Sequence, residues 1–90
     1  MTETRDTKIK RLRMRSMRRG IKEMDLILQA FADENLNRFS DDALDLYDQL
    51  LSENDHDIYG WIGGQIAVPE PYLNLVTKIA AGAQGVTRPH

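Results

Sequence analysis

An all-α fold, a compact bundle of five short helices, is what this sequence predicts, and three observations predict it. Apolar residues recur at helical spacing almost throughout the 90 residues. No segment alternates apolar and polar residues with β-branched enrichment, as a half-buried strand would. Serine, aspartate, glycine and proline stand where helices of that spacing would begin and end.

Taken in order, Ile9, Leu12 and Ser16 form a thin stripe on an otherwise basic first helix, with Met14 and Met17 close to it. Met24, Ile27, Leu28 and Phe31 follow the helical rule on a second helix beginning near Gly20 or Ile21. Ser40, then Asp41 and Asp42, predict the third start, because a serine cap and first-turn acids both satisfy exposed N–H groups. Ala43, Leu44, Tyr47, Leu50 and Leu51 are its expected buried face. Asp55 is the expected cap of a short fourth helix carrying Ile58, Tyr59, Trp61 and Ile62, ended by Gly63 and Gly64. Pro69 and Pro71 suit the start of a fifth, where a missing N–H costs little. Tyr72, Leu73, Val76, Ile79, Ala80 and Ala83 continue at helical spacing, and Gly82 and Gly85 are expected to release a frayed tail.

This length suits a single domain spanning residues 1–90, with a core over about 9–83 between a flexible basic N-terminus and a short C-terminal tail. The absence of cysteine excludes disulfides, thiolate metal sites and a cysteine nucleophile. No apolar run approaches the roughly 20 residues that cross a bilayer, and no apolar h-region follows the basic start. The expectation is mature protein without membrane insertion, cytoplasmic in a bacterium or in the mitochondrial matrix of a eukaryote.

The net charge of −2 hides an asymmetry. Residues 1–22 hold nine Lys and Arg against two acids, a net +7, whereas residues 23–90 hold three against twelve, a net −9. Such a chain is expected to be an electrostatic dipole whose basic end is free to steer toward a polyanion or an acidic protein face.

Catalytic and metal chemistry find little support. His56 between Asp55 and Asp57 matches no helical ligand spacing and reads as a solvated turn. Asp41, Asp45 and Asp48 share a helical face, where a solvated stripe is preferred to a cation site. Gly63–Gly64 lacks the strand and lysine of a phosphate loop. Met14, Met17 and Met24 read as gap-fillers, and Trp61 with Tyr47 and Tyr59 as core anchors. An enzyme is not expected. Two binding roles compete at this level. The basic first helix suits a nucleic-acid-binding or antitoxin-like regulator, although the acidic remainder and the lack of interleaved aromatics disfavour nucleic acid. A bundle that self-associates through Trp61 is the other.

Within "RRGIKEMD", Gly20 as an N-cap would place Glu23 at N3, half of a capping box. That does not account for Arg18 and Arg19, since cations are unfavourable at a helix N-terminus. A partner that compensates them, approaching closely over a glycine, would.

"RSMRRGIKEMD" resembles the R-G-x-x-E signature of the SdhE-type flavinylation assembly factors of succinate dehydrogenase, and the likeness continues through "LYDQLL" and "DHDIYGWI", over about residues 9–80. The resemblance implies a five-helix bundle that acts as a chaperone. Its partner would be the flavoprotein subunit of succinate dehydrogenase, and often that of fumarate reductase, on which it promotes covalent attachment of FAD to a histidine. The FAD would be carried by the partner and not bound tightly by the factor. Arg19, Gly20 and Glu23 match the motif placed against the flavoprotein, and Arg11, Ser16, Arg18 and Asp25 match flanking positions.

Overall fold

A computed structural model describes the backbone of residues 3–87 and the side chains of residues 3–83. Five helices follow one another: α1 Arg5–Ser16, α2 Lys22–Asn35, α3 Asp41–Leu51, α4 Asp55–Gly63 and α5 Leu73–Thr87, with 3₁₀ turns at Leu36–Arg38 and Glu70–Tyr72. No strand occurs among the described residues. The all-α expectation therefore holds, and most ends form for the local reasons the sequence suggests. Ser40 caps α3 by accepting the Ala43 N–H at 3.1 Å. Gly64 ends α4 in the left-handed conformation (φ 82°), open to glycine at no steric cost.

Four ends or faces differ from expectation. The cap of α4 is Asn54, whose Oδ1 accepts the His56 N–H at 2.8 Å, so Asp55 is released for another task. Helix α2 is preceded by Ile21 in extended geometry without a side-chain cap, which puts Glu23 at its second position. The capping box does not form, because carboxylates elsewhere take the N–H groups ahead of this helix, as described below. Helix α5 runs on through Gly82 and Gly85 to Thr87, and the tail expected after it lies outside the described residues. Its buried stripe is Leu75, Val76, Ile79 and Ala83, continuing at helical spacing from Tyr72 of the preceding turn, while Leu73 lies off that face and is exposed.

Helix α2 packs against α1 and α5, α1 also lies on α3, and α4 lies on α5. Leu12, Met24, Leu28, Leu36, Leu44, Tyr47, Leu50, Ile58 and Ile79 are fully buried at the centre. Phe31, Phe39 and Tyr47 meet edge-on or tilted, with centroids 5.8–6.5 Å apart. Trp61 packs on Tyr72 at 5.7 Å and is only 7% exposed, so it serves the core and offers little to a second copy. Of the three methionines read as gap-fillers, only Met24 is one. Met14 is 70% exposed and Met17 39%.

The charge asymmetry of the sequence is cancelled in space. Asp41, Asp45 and Asp48 of α3 face neither solvent alone nor a cation site. They pair with Arg5 at 3.1 Å, with Lys8, and with both Arg11 (2.9 Å) and Arg15. The acids recur at helical spacing on α3 and the bases at helical spacing on α1, so two helices laid side by side bring each pair together. The basic end is thus largely engaged by the chain's own carboxylates. Beneath this ladder, Ser16 is fully buried, bonded to the Leu12 carbonyl at 2.8 Å and to the Tyr47 hydroxyl at 2.6 Å.

Candidate functional site

The R-G-x-x-E motif forms the turn between α1 and α2, and its shape follows from where its polar groups are satisfied. Met17 ends α1 in extended geometry, donating its N–H to the Met14 carbonyl. Arg18 then adopts φ 56°, a left-handed conformation rare outside glycine, which reverses the chain. The Arg19 N–H donates to Asp25 of α2, and the Gly20 N–H donates to Asp55 Oδ2 at 2.7 Å.

The Arg19 side chain turns inward. Its Nε and Nη2 reach Asp55 Oδ1 at 3.0 and 2.7 Å, Nη1 donates to the Arg15 carbonyl at 3.0 Å, and Nη2 to the Leu51 carbonyl at 2.9 Å. One guanidinium thereby ties the last turn of α1 to the end of α3 and the start of α4. Only 12% of this side chain remains exposed, against 25% for Asp55. Burial pushes the Asp55 carboxyl up, but the Gly20 N–H and the Arg19 guanidinium outweigh it and hold the group below the usual carboxylate range.

The other expected site residues fall into two groups. Ser16 is sealed in the core and cannot meet a partner in this conformation, because its hydroxyl completes the Tyr47 bond. Arg11 bridges Glu3 and Asp48, and Asp25 holds the Arg19 N–H, so both are committed within the chain. Arg18, Gly20 and Glu23 are exposed. Arg18 makes no ion pair among the described residues. Glu23 accepts the Tyr59 hydroxyl across to α4, which raises the Tyr59 pKa, and does not pair with Arg19.

On one side of the turn lies an open cleft of about 420 Å³ lined by Arg15, Met17, Arg18, Arg19, Glu53 and Asp55. The exposed thioethers of Met14 and Met17 flank it, beside Arg18. On the other side, Glu23 stands at a groove of about 500 Å³ between α2, α4 and α5, with Ile27, Tyr59, Ile62 and Ala80 in its walls. The motif therefore joins two concave surfaces of different character, one charged with flexible apolar edges and one largely apolar. Sequence reasoning did not single out Asp55 or the exposed methionines as site residues. The signal for Asp55 was a second N-cap candidate, Asn54, directly before it. Among the described residues, no three acidic or histidine side chains converge to hold a metal ion.

Comparison with known proteins decides the family. The family described as flavinator of succinate dehydrogenase matches residues 10–82. The chain belongs to this family. The flavinator family match spans α2, α3 and α4 whole, with most of α1 and of α5. Succinate dehydrogenase assembly factor 2, mitochondrial, of Meyerozyma guilliermondii is 56% identical over 66% of this chain and 44% of its own length. Its namesake in Schizosaccharomyces pombe is 43% identical over 78% of this chain and 50% of its own length. Succinate dehydrogenase assembly factor 2-A, mitochondrial, of Drosophila yakuba is 38% identical over 96% of this chain and 57% of its own length. The matched part is thus about half the length of these relatives. No helix among the described residues is long and apolar enough to cross a membrane.

Proposed function

We propose that this chain is an assembly factor of succinate dehydrogenase that docks on the flavoprotein subunit and promotes covalent attachment of FAD there. The observation that carries the reading is the family's motif held on a fully formed, exposed turn. Arg18, Gly20 and Glu23 lie open there between two concave surfaces, beside the exposed Met14 and Met17. Flexible thioethers around a fixed cation suit a protein surface, since methionine adapts to the shape it meets. The factor acts as a chaperone and the partner carries the FAD. Docking would hold flavin and acceptor histidine in a reactive geometry, the contribution that orientation makes to any two-group reaction. Charges at the docked face would add to it where charge develops. Fumarate reductase's flavoprotein is a second client within the same proposal. The relatives named above carry "mitochondrial" in their names, and the matrix is the proposed compartment if this chain is eukaryotic. The regulator reading loses its main support, because the α1 cations that would meet phosphates are largely paired with α3.

The test is complementation. A strain lacking its own factor, supplied with this chain, is expected to regain covalent flavin fluorescence in the dehydrogenase flavoprotein, and the flavoprotein is expected to copurify with the chain. Gly20→Arg, which should fold but carry a bulky cation on the turn, is expected to lose both. Absence of capture and of flavin recovery by the wild-type chain would sink the proposal.

A further inference from the structure

We propose that Asp55 is the positioning residue of the docking turn, and that position 20 is glycine to admit the Asp55 carboxylate. The docking half of this inference rests on the proposed function. The conformational half does not.

Three observations carry it. First, Asp55 begins α4 but leaves the capping to Asn54, so its two oxygens are both spent on the turn, Oδ2 on the Gly20 N–H and Oδ1 on Arg19. Second, a Cβ built on Gly20 would lie 2.9 Å from Asp55 Oδ2, closer than real Cβ contacts come. A side chain there forces the carboxylate to shift against the N–H it accepts. Third, Arg19 also holds the Arg15 and Leu51 carbonyls, so the carboxylate is fixed from its far side and has little room to retreat. Between the two held residues and Met17, Arg18 is kept in its left-handed conformation with its side chain exposed.

In this arrangement Arg19 is spent inside the molecule. What a partner meets is the shape that Arg19 and Asp55 impose, namely Arg18 and the outer side of Gly20 set beside Met17. The motif's glycine is then required first by its own chain, independently of how closely the partner approaches.

A double-mutant cycle on the full chain separates these roles, with three readouts: affinity for the purified flavoprotein subunit, solvent exchange of the Arg19 Nε–H by NMR, and melting. Asp55→Ala is expected to speed that exchange and to weaken binding about tenfold at temperatures where the variant is folded. Gly20→Ala should weaken binding about as much in the wild-type background, but less than about twofold on top of Asp55→Ala, since the carboxylate it strikes is gone. Asp55→Ser, which also removes both terminal oxygens and suits a helix start, replaces Asp55→Ala if the latter does not fold. Wild-type affinity in an Asp55 variant whose Arg19 exchange has been released would overturn the positioning role. Additive losses at positions 20 and 55 would overturn the account of the glycine. If the wild-type chain captures no flavoprotein, the proposed function and the docking half fall together. The cycle is then scored on melting, where coupling supports the lock and additivity removes it.

Discussion

The ion pairs between α1 and α3 and the knot around Arg19 use the same kinds of side chain in different surroundings. Along the ladder, the carboxylates of Asp41 and Asp45 are 86% and 64% exposed, and Arg5, which also donates to the Asn37 and Phe39 carbonyls, is 40% exposed, with Asp48 at 28% the sheltered member. In the knot the cation is 12% exposed and meets two backbone carbonyls as well as a carboxylate. Water competes for the first set and largely not for the second. The ladder accordingly cancels charge with little stabilisation per pair, whereas the knot dictates the path of a turn. Counting ion pairs would rank the ladder higher, yet counting what each charge excludes from water ranks the knot.

The largest expected effect comes from putting a charge where the same helix interface has none. Burial pushes the Tyr47 hydroxyl up to about 12, with the Ser16 bond and Arg19 opposing it. The folded pKa is raised above the ordinary 10, so this contribution is complete below about pH 10 and is lost as pH rises toward about 12, to the extent of about 2 kcal/mol. Tyr47→Phe should remove that portion of the alkaline limb in urea unfolding measured from pH 9 upward. An alkaline limb identical in both proteins would show that the interior accepts the phenolate.

Breaking the knot should come next. Arg19→Ala is expected to lower the unfolding free energy by about 2 kcal/mol, because it strands Asp55 and frees two carbonyls. Arg19→Lys should recover less than half of that, since an ammonium cannot span the fork. Denaturant melts at fixed pH check both, and a loss no greater than that of a ladder variant would erase the distinction drawn above.

The smallest effect belongs to the ladder. Asp48 lies below the usual carboxylate range because Arg11 and then Arg15 bond it, against partial burial. Its contribution is therefore present above the ordinary carboxylate pKa and lost as pH falls through the depressed one. Asp48→Asn should cost about 1 kcal/mol or less, and the difference from wild type should shrink further toward about 1 M salt. The Arg19→Ala loss should change little over the same salt range.

How far the sequence could be followed depended on the separation of the groups involved. Five helices, the Ser40 cap and the Gly64 stop were legible, since each is set within a few residues. The start of α2 near Ile21 was legible too, but the way its leading N–H groups are satisfied was not. Gly20 looks like a cap until Asp55, 35 residues away, takes its N–H. The ladder was equally hidden, because Lys8 and Asp45 stand 37 residues apart and each reads alone as a solvated charge. Ser16 matched a flanking site position, but the stripe it shares with Ile9 and Leu12 was the better guide, and Tyr47 supplies the partner that lets a hydroxyl be buried. Met14 and Met17 were misjudged because an exposed methionine is chemically identical to a buried one and only its neighbours differ.

The Asp55 tether also orders events during synthesis. Helix α1 is a short, basic segment that would be marginal as an isolated helix. Apart from Glu3 and Asp33, the carboxylates that pair with α1 and with Arg19, namely Asp41, Asp45, Asp48 and Asp55, are translated later than α2. At about 5–20 residues per second, the ribosome delivers them some seconds after α1 has emerged. Until then Arg19 lacks the carboxylate that fixes it and the Gly20 N–H lacks its acceptor, so the motif turn takes its shape only after α3 and the start of α4 have been made, although its own residues are among the first.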